Sequence, residues 1–119
     1  MKFIIHKHTD HNNEEDHFDF MLETEDSLLT WRINKLDISL LDKPGELVTL
    51  KLKNHRKEYL SFEGPISCNR GFVEIYDQGN YSIINENQEN YKIKLSGEKL
   101  TSTIIIKELS VGSYMFTVL

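Results

Sequence analysis

Alternation with a period of two runs through almost the whole chain and leaves little room for anything but β-structure. Residues 17–23 put His17, Asp19, Met21 and Glu23 on one side and Phe18, Phe20 and Leu22 on the other, because successive side chains of a strand point to opposite faces. Residues 2–7 alternate about Phe3 and Ile5, and the pattern recurs over 27–33, 46–53, 72–77, 80–84, 91–95, 100–108 and 114–118. Residues 101–106 are rich in β-branched side chains, whose restricted χ1 disfavours helix and suits a pleated surface. No amphipathic helix of useful length is found; one short helical turn is expected near 35–41.

Turn-forming residues punctuate these runs: Asp42-Lys43-Pro44-Gly45, Gly64-Pro65, Asn69-Arg70-Gly71, Asp77-Gln78-Gly79-Asn80, Ser96-Gly97 and Val111-Gly112. About eight or nine short strands at close spacing predict an all-β chain folded as a single small β-barrel, closed or partly open. Closure removes exposed sheet edges. With no repeat and no composition break, residues 1–119 are read as one domain. The polar stretch from Thr9 to Asp16 is a loop between the first two strands.

Composition narrows the setting. A chain with 39% hydrophobic and 28% charged residues is globular rather than disordered. Cys68 is the only cysteine, which excludes an internal disulfide and fits a reducing compartment. The apolar run at the start is too short for a leader's core, and no stretch approaches the roughly 18 apolar residues of a membrane helix. A cytoplasmic, monomeric protein with no membrane contact is expected. A net charge of −5 argues against coating a long duplex, since that affinity comes mostly from neutralising phosphates.

The chemistry concentrates near the start. His6, His8, His11 and His17 lie within the first 17 residues, beside Asp10, Asp16 and Asp19. In His17-Phe18-Asp19, an imidazole and a carboxylate two residues apart share one face of a strand. His6 and His8 stand in the same relation. If the two strands pair, one face presents His8 (or His6), His17 and Asp19 together. Two histidines and a carboxylate leave open positions on Mn²⁺, Fe²⁺ or Zn²⁺, as a catalytic centre requires. The competing reading is a chance pair of solvated histidines. No Cys-x-x-Cys, His-Glu-x-x-His, P-loop, dinucleotide or Gly-x-Ser-x-Gly motif is present.

Several segments, in order, resemble the 3′-phosphoesterase domain of bacterial end-joining DNA ligases, the ligase D family. The apolar strand ending Lys7-His8 and the heptad from His17 to Glu23 resemble that family's opening, in which the heptad reads His-Tyr-Asp-Phe-Arg-Leu-Glu. Trp31-Arg32-Ile33-Asn34-Lys35 is similar to its Trp-Ala-Val-Pro-Lys, and Asn54-His55-Arg56-Lys57-Glu58-Tyr59 to its Asp-His-Pro-Leu-Glu-Tyr. Phe62-Glu63-Gly64-Pro65-Ile66, Tyr76-Asp77-Gln78-Gly79-Asn80-Tyr81 and Leu95-Ser96-Gly97-Glu98-Lys99-Leu100 resemble Phe-Glu-Gly-Val-Ile, Trp-Asp-Arg-Gly-Thr-Trp and Leu-x-Gly-x-x-Leu. The resemblance implies a β-barrel with a Mn²⁺-dependent site, or one using another divalent transition metal such as Zn²⁺ or Co²⁺. It implies a substrate that is a nucleic-acid 3′ end or a smaller phosphoester, and a ligase or polymerase acting in trans. It implies His8, His17 and Asp19 as metal ligands, His55 and Tyr59 as an active-site pair, and Lys35 as a phosphate contact.

Three departures stand out. Met21 occupies the place of the family's catalytic arginine, and a thioether cannot replace a forked cation; Arg32, or Arg56, is the candidate substitute. The family's basic loop is acidic here, at Glu14-Glu15-Asp16, and its length makes His11 a rival to His8. Near Leu47 the chain lacks another family arginine. A barrel with a weakened site, serving as a binding module, is therefore the alternative expectation. Trp31 and Phe62 are read as core before base-stacking residues. Glu63 either orients a histidine or binds backbone amides. Lys51, Lys53, Arg56 and Lys57 either steer phosphates or blunt a strand edge. Cys68 is read as inert.

Overall fold

The computed structural model describes residues 1–9, 15–66, 70–87 and 90–119. His11 and Cys68 lie outside the described residues. The strands are β1 (Lys2–Thr9), β2 (His17–Glu23), β3 (Leu28–Asn34), β4 (Gly45–Lys51), β5 (Gly64–Pro65), β6 (Phe72–Glu86), β7 (Asn90–Gly97), β8 (Thr103–Ser110) and β9 (Ser113–Val118). Their order is β1-β2-β3-β4-β9-β8-β7-β6, and β6 pairs back onto β1, so eight strands close a barrel. Every pairing is antiparallel, and β5 adds a ninth strand on β6. Two short 3₁₀ turns, Ile38–Asp42 and Lys57–Leu60, complete the described elements. The first lies close to the expected helical turn. Among the described residues no helix is long and apolar enough to cross a membrane.

One face of each strand fills the barrel. Phe3, Ile5, Phe18, Phe20, Leu22, Trp31, Ile33, Leu47, Ile93, Leu95, Ile104, Ile106, Phe116 and Val118 form a single buried cluster. Phe20 meets Phe116 edge to face at 5.2 Å, and Trp31 meets it at 5.7 Å, a favoured geometry for aromatic quadrupoles. Trp31 is core, as its strand position suggested.

The run 72–86 departs from the expected pair of strands. Asp77-Gln78-Gly79-Asn80 is not a turn; it lies inside the continuous β6. Ile5 faces Asp77 while His6 faces Ile75, so a bulge between them leaves Tyr76 as an extra residue on β6. An inserted residue shifts the side-chain phase by one. Ile75 therefore points outward, and Asp77, 1% exposed, points inward. The Asp77 carboxylate accepts hydrogen bonds from the backbone amides of Gln78, Lys99 and Leu100 at 2.9, 3.0 and 2.9 Å. It thus holds the turn between β7 and β8. This turn also explains why β8 begins at Thr103 rather than at 100.

Gly79 and Gly97 oppose each other in the β6–β7 ladder. A Cβ on Gly79 would run into the Ser96 carbonyl, and one on Gly97 would lie 2.6 Å from Asp77 Oδ2. Two of the segments with ordered resemblance are therefore the two halves of one close backbone contact. Replacing Asp77 by alanine orphans three amides, that of Leu100 buried, at roughly 1–3 kcal/mol for a buried unsatisfied group. We expect Asp77→Ala to lose about 3 kcal/mol in urea denaturation; a loss below about 1 kcal/mol contradicts this role.

Outside the barrel, a second, smaller core forms where the segment 52–66 crosses β1, β2 and β3. Ile4, Met21 and Leu28 are buried there, with Tyr59, Leu60 and Ile75 packed against them. The segment is fastened by paired backbone bonds between Leu28 and His55 (2.8 and 2.9 Å), by Leu52 N–H donating to the Thr30 carbonyl (2.9 Å), and by β5. The Gly64-Pro65 pair, read as a turn, is that strand. Burial of each apolar side chain contributes roughly 1.5–3 kcal/mol, which holds the cover against the barrel wall.

Candidate metal centre

The face of β1, β2 and β3 that points away from the barrel carries the polar residues. His8 stands directly opposite His17, His6 opposite Asp19, and Asp19 opposite Arg32. Directly opposed residues share a face, so period two and this register put all five side chains on the outer surface. The segment 52–66 then covers them. His6 is 2%, His17 3% and Asp19 4% exposed, and His8 9%. Exposure this low is unusual for charged residues without partners.

The three histidines nearest Asp19 share one arrangement. His8 Nε2 lies 2.8 Å from the Arg70 carbonyl, His17 Nδ1 3.2 Å from that of Glu15, and His55 Nδ1 3.0 Å from that of Lys53. A carbonyl only accepts, so these contacts assign a proton to the ring nitrogen facing it. In a neutral ring the other nitrogen is then an acceptor. All three of these nitrogens face the same carboxylate. His17 Nε2 is 3.5 Å from Asp19 Oδ1, and His8 Nδ1 and His55 Nε2 are 3.8 and 4.0 Å from Oδ2. These separations are too long for good hydrogen bonds, and buried Asp19 Oδ1 has no hydrogen-bond partner.

Lone pairs converging on an anion repel it unless a cation sits among them. The donors of His8, His17 and Asp19 lie within 4.8 Å of one another. Two imidazoles fixed by backbone carbonyls, plus one carboxylate, form a donor set that suits a divalent transition metal. The residues present fit such an ion.

Without an ion, the Asp19 carboxylate favours a second proton on the His8 ring. Burial opposes the Asp19 charge, but the His8 ring beside it, then His17 and His55, outweigh burial and hold the carboxyl below its ordinary range. Burial keeps His17 below the usual imidazole range against the pull of Asp19, whereas at His8 the Asp19 and Arg70 contacts overcome burial and raise it. His6, buried deepest, is pushed down to about 4 by desolvation. It is therefore neutral at pH 7, and its Nε2 is buried without a hydrogen-bond partner.

A cavity of about 130 Å³ opens beside the cluster, lined by His6, His8, Asp19, His55, Tyr59 and Arg70 among others. The structure thus brings His55 and Tyr59, far away in sequence, to the histidine pair; the two rings meet edge to face at 5.8 Å. Arg32 stands across from Asp19 on the same face. Lys35 does not join them: β3 ends at Asn34, and Lys35 falls in the exposed turn beyond it, outside the cavity lining. Arg56 lies to the side, its Nε 3.8 Å from Glu58. Glu63 binds a backbone amide, that of Ile75, at 2.8 Å. Of the basic cluster, Lys51 Nζ donates to the Leu52 carbonyl and Lys57 pairs with Glu23 at 3.6 Å.

Arg70 was passed over in the sequence, where it read only as part of a turn. Its carbonyl orients His8, and the residue borders the cavity. Charge next to a turn glycine was the only signal. Met21, completely buried in the apolar cluster beneath the cover, brings no cation to the site.

A family model described as the DNA Ligase D 3′-phosphoesterase domain matches residues 6–107. No curated protein matches the chain.

Proposed function

The chain belongs to the DNA ligase D 3′-phosphoesterase domain family, and on that premise we propose that it is a divalent-metal-dependent phosphoesterase acting on a nucleic-acid 3′ end or a smaller phosphoester. Membership supports phosphoester chemistry in general. The observation that carries the finer reading is the convergence of donor atoms from His8, His17 and Asp19 within 4.8 Å of one another, with both rings oriented by backbone carbonyls.

In this reading His8, His17 and Asp19 hold the ion, with Mn²⁺ the first candidate and Zn²⁺ or Co²⁺ the others. When bound, such an ion polarises a phosphoryl oxygen and lowers the pKa of a coordinated water. His55, held through Nδ1 by the Lys53 carbonyl, gives or takes a proton at Nε2. The Tyr59 hydroxyl orients a phosphoryl oxygen. Arg70, and Arg32 across from Asp19, supply the positive charge that Met21 does not. A ligase or polymerase working in trans remains part of the proposal.

The test is hydrolysis of 3′-phosphate, 3′-ribonucleoside and cyclic-phosphate substrates with and without Mn²⁺. Metal-stimulated turnover that vanishes in His17→Ala supports the reading. Tight metal binding with no turnover on any of them favours the second reading, a metal-binding module, to which the apolar burial of Met21 points. Arg70→Ala offers a sharper probe, because the carbonyl that fixes His8 belongs to the backbone and survives the change. We expect kcat/KM to fall about 100-fold, as for loss of one preorganised transition-state donor, with Mn²⁺ affinity within about threefold of wild type. Equal loss of both would assign Arg70 to holding the fold.

A further inference from the structure

Beyond the cover formed by residues 52–66, the outer wall of the barrel carries an apolar patch. On β4, Leu47 and Thr49 point inward and are buried, whereas Val48 and Leu50 point outward and are exposed. Val48 stands directly opposite Met115 on β9, and Thr117 of β9 opposite Ile105 on β8, so the register puts these side chains on one outer face. The Lys51 N–H donates to the Gly112 carbonyl at 2.8 Å. That bond brings the β8–β9 turn, with exposed Leu109 and Val111, against the end of β4. Four of the ten exposed large apolar side chains among the described residues therefore gather in one place. Scattered singly they would need no explanation; a contiguous apolar patch marks an interaction surface.

We propose that two copies of the chain associate through this face as a twofold dimer, in place of the monomer expected from the sequence. The layout of charge around the patch selects a second copy as the occupant. Lys92, Ile105, Thr117 and Glu46 form one row across β7, β8, β9 and β4, and Lys107, Met115 and Val48 form the next. Cations thus stand on the β7–β8 flank and an anion on the β4 flank. None of Glu46, Lys92 and Lys107 has an ion-pair partner among the described residues. A twofold axis parallel to β9 sets two such faces together with their flanks exchanged. With strands about 4.8 Å apart, it carries Glu46 of one copy over β8 of the other, between Lys92 and Lys107. Met115 then meets its own counterpart, and Leu50 lies over the end of β8 at Leu109. Every charge contact and every apolar contact occurs twice. A patch flanked by one sign of charge repels its copy; this one attracts it. The net charge of −5 opposes association only at long range, where physiological salt screens it. His8, His17 and Asp19 stand on β1 and β2, outside the contact.

The test is sedimentation velocity on the full chain at about 1 µM and about 100 µM, a span that brackets the dissociation constant of a small specific interface. The wild-type mass should move from near the 14.0 kDa of one chain toward twice that value. Val48→Asp alters an outward side chain and leaves the barrel interior untouched; it should raise the dissociation constant more than about tenfold. Glu46→Lys or Lys107→Glu alone places like charges together, twice in a twofold contact, and should also raise it more than about tenfold. Combining the two charge reversals restores opposite signs across the axis and should return the constant to within about threefold of wild type. A purely structural role for either residue predicts no such rescue. A mass that stays at one chain at about 100 µM overturns the second copy as occupant. A dimer indifferent to all three substitutions lies on another face and overturns it equally, and a double variant as weak as the single ones overturns the twofold arrangement.

Discussion

Saturating the chain with Mn²⁺ at about 100 times its dissociation constant should raise the melting temperature by about 10 °C. A ligand at that excess, binding only the folded state, stabilises by about 2.7 kcal/mol, and a chain of this length shifts by roughly 4 °C per kcal/mol. The site offers the ion three donors within 4.8 Å of one another, two on β2 and one on β1. Asp19→Asn and His17→Ala each remove one of them and should abolish the shift, with affinity falling more than about 100-fold, beyond what loss of an outer partner costs. His55→Ala should keep the shift and lose turnover, because the converging donors are those of His8, His17 and Asp19 and the proposed task of His55 is proton transfer. Differential scanning fluorimetry with and without a chelator reads the shifts, and hydrolysis of a 3′-phosphate substrate reads the turnover. A wild-type melting temperature indifferent to Mn²⁺, Zn²⁺ and Co²⁺ would sink the metal centre.

Gly79→Ala should be the most damaging single substitution in the barrel wall. The added methyl meets the Ser96 carbonyl of the neighbouring strand. Backbone cannot turn aside as a flexible side chain does. Relief requires β6 and β7 to separate at the point where Gly79 faces Gly97, just beyond Asp77 and the amides it binds. Losses above about 4 kcal/mol are rare and mark such mechanisms; here that corresponds to a fall of roughly 15 °C in melting temperature. The metal donors sit on β1 and β2, so at temperatures where the variant remains folded it should still bind Mn²⁺. A melting temperature within about 3 °C of wild type would show that the strands separate freely and would remove the physical account of this motif.

How much of this was legible beforehand follows from what each signal encodes. Period two is a property of the strand backbone, so residues 17–23 revealed their two faces and the shared side of His17 and Asp19 without tertiary information. The spacing of His6 and His8 did the same for β1. Strand number and barrel class followed from the same alternation together with turn residues. The turn reading of Asp77 to Asn80 failed because an aspartate and a glycine serve equally well in a bulged strand that buries a carboxylate and admits a close neighbour. Lys35 was placed at the phosphate by resemblance; it lies exposed in the turn directly after β3 and is not among the residues lining the cavity.

Sequence by itself determined the strands, their two faces and the kind of chemistry one face holds, because those depend on local geometry and on side-chain type. Which face becomes the barrel interior, that the histidine face lies outside beneath residues 52–66, and that His55, Tyr59 and Arg70 meet it were decided only by tertiary structure. Those outcomes depend on strand register, on a one-residue bulge and on the docking of a segment with no periodicity of its own. Such contacts join residues far apart along the chain, and no local pattern records them.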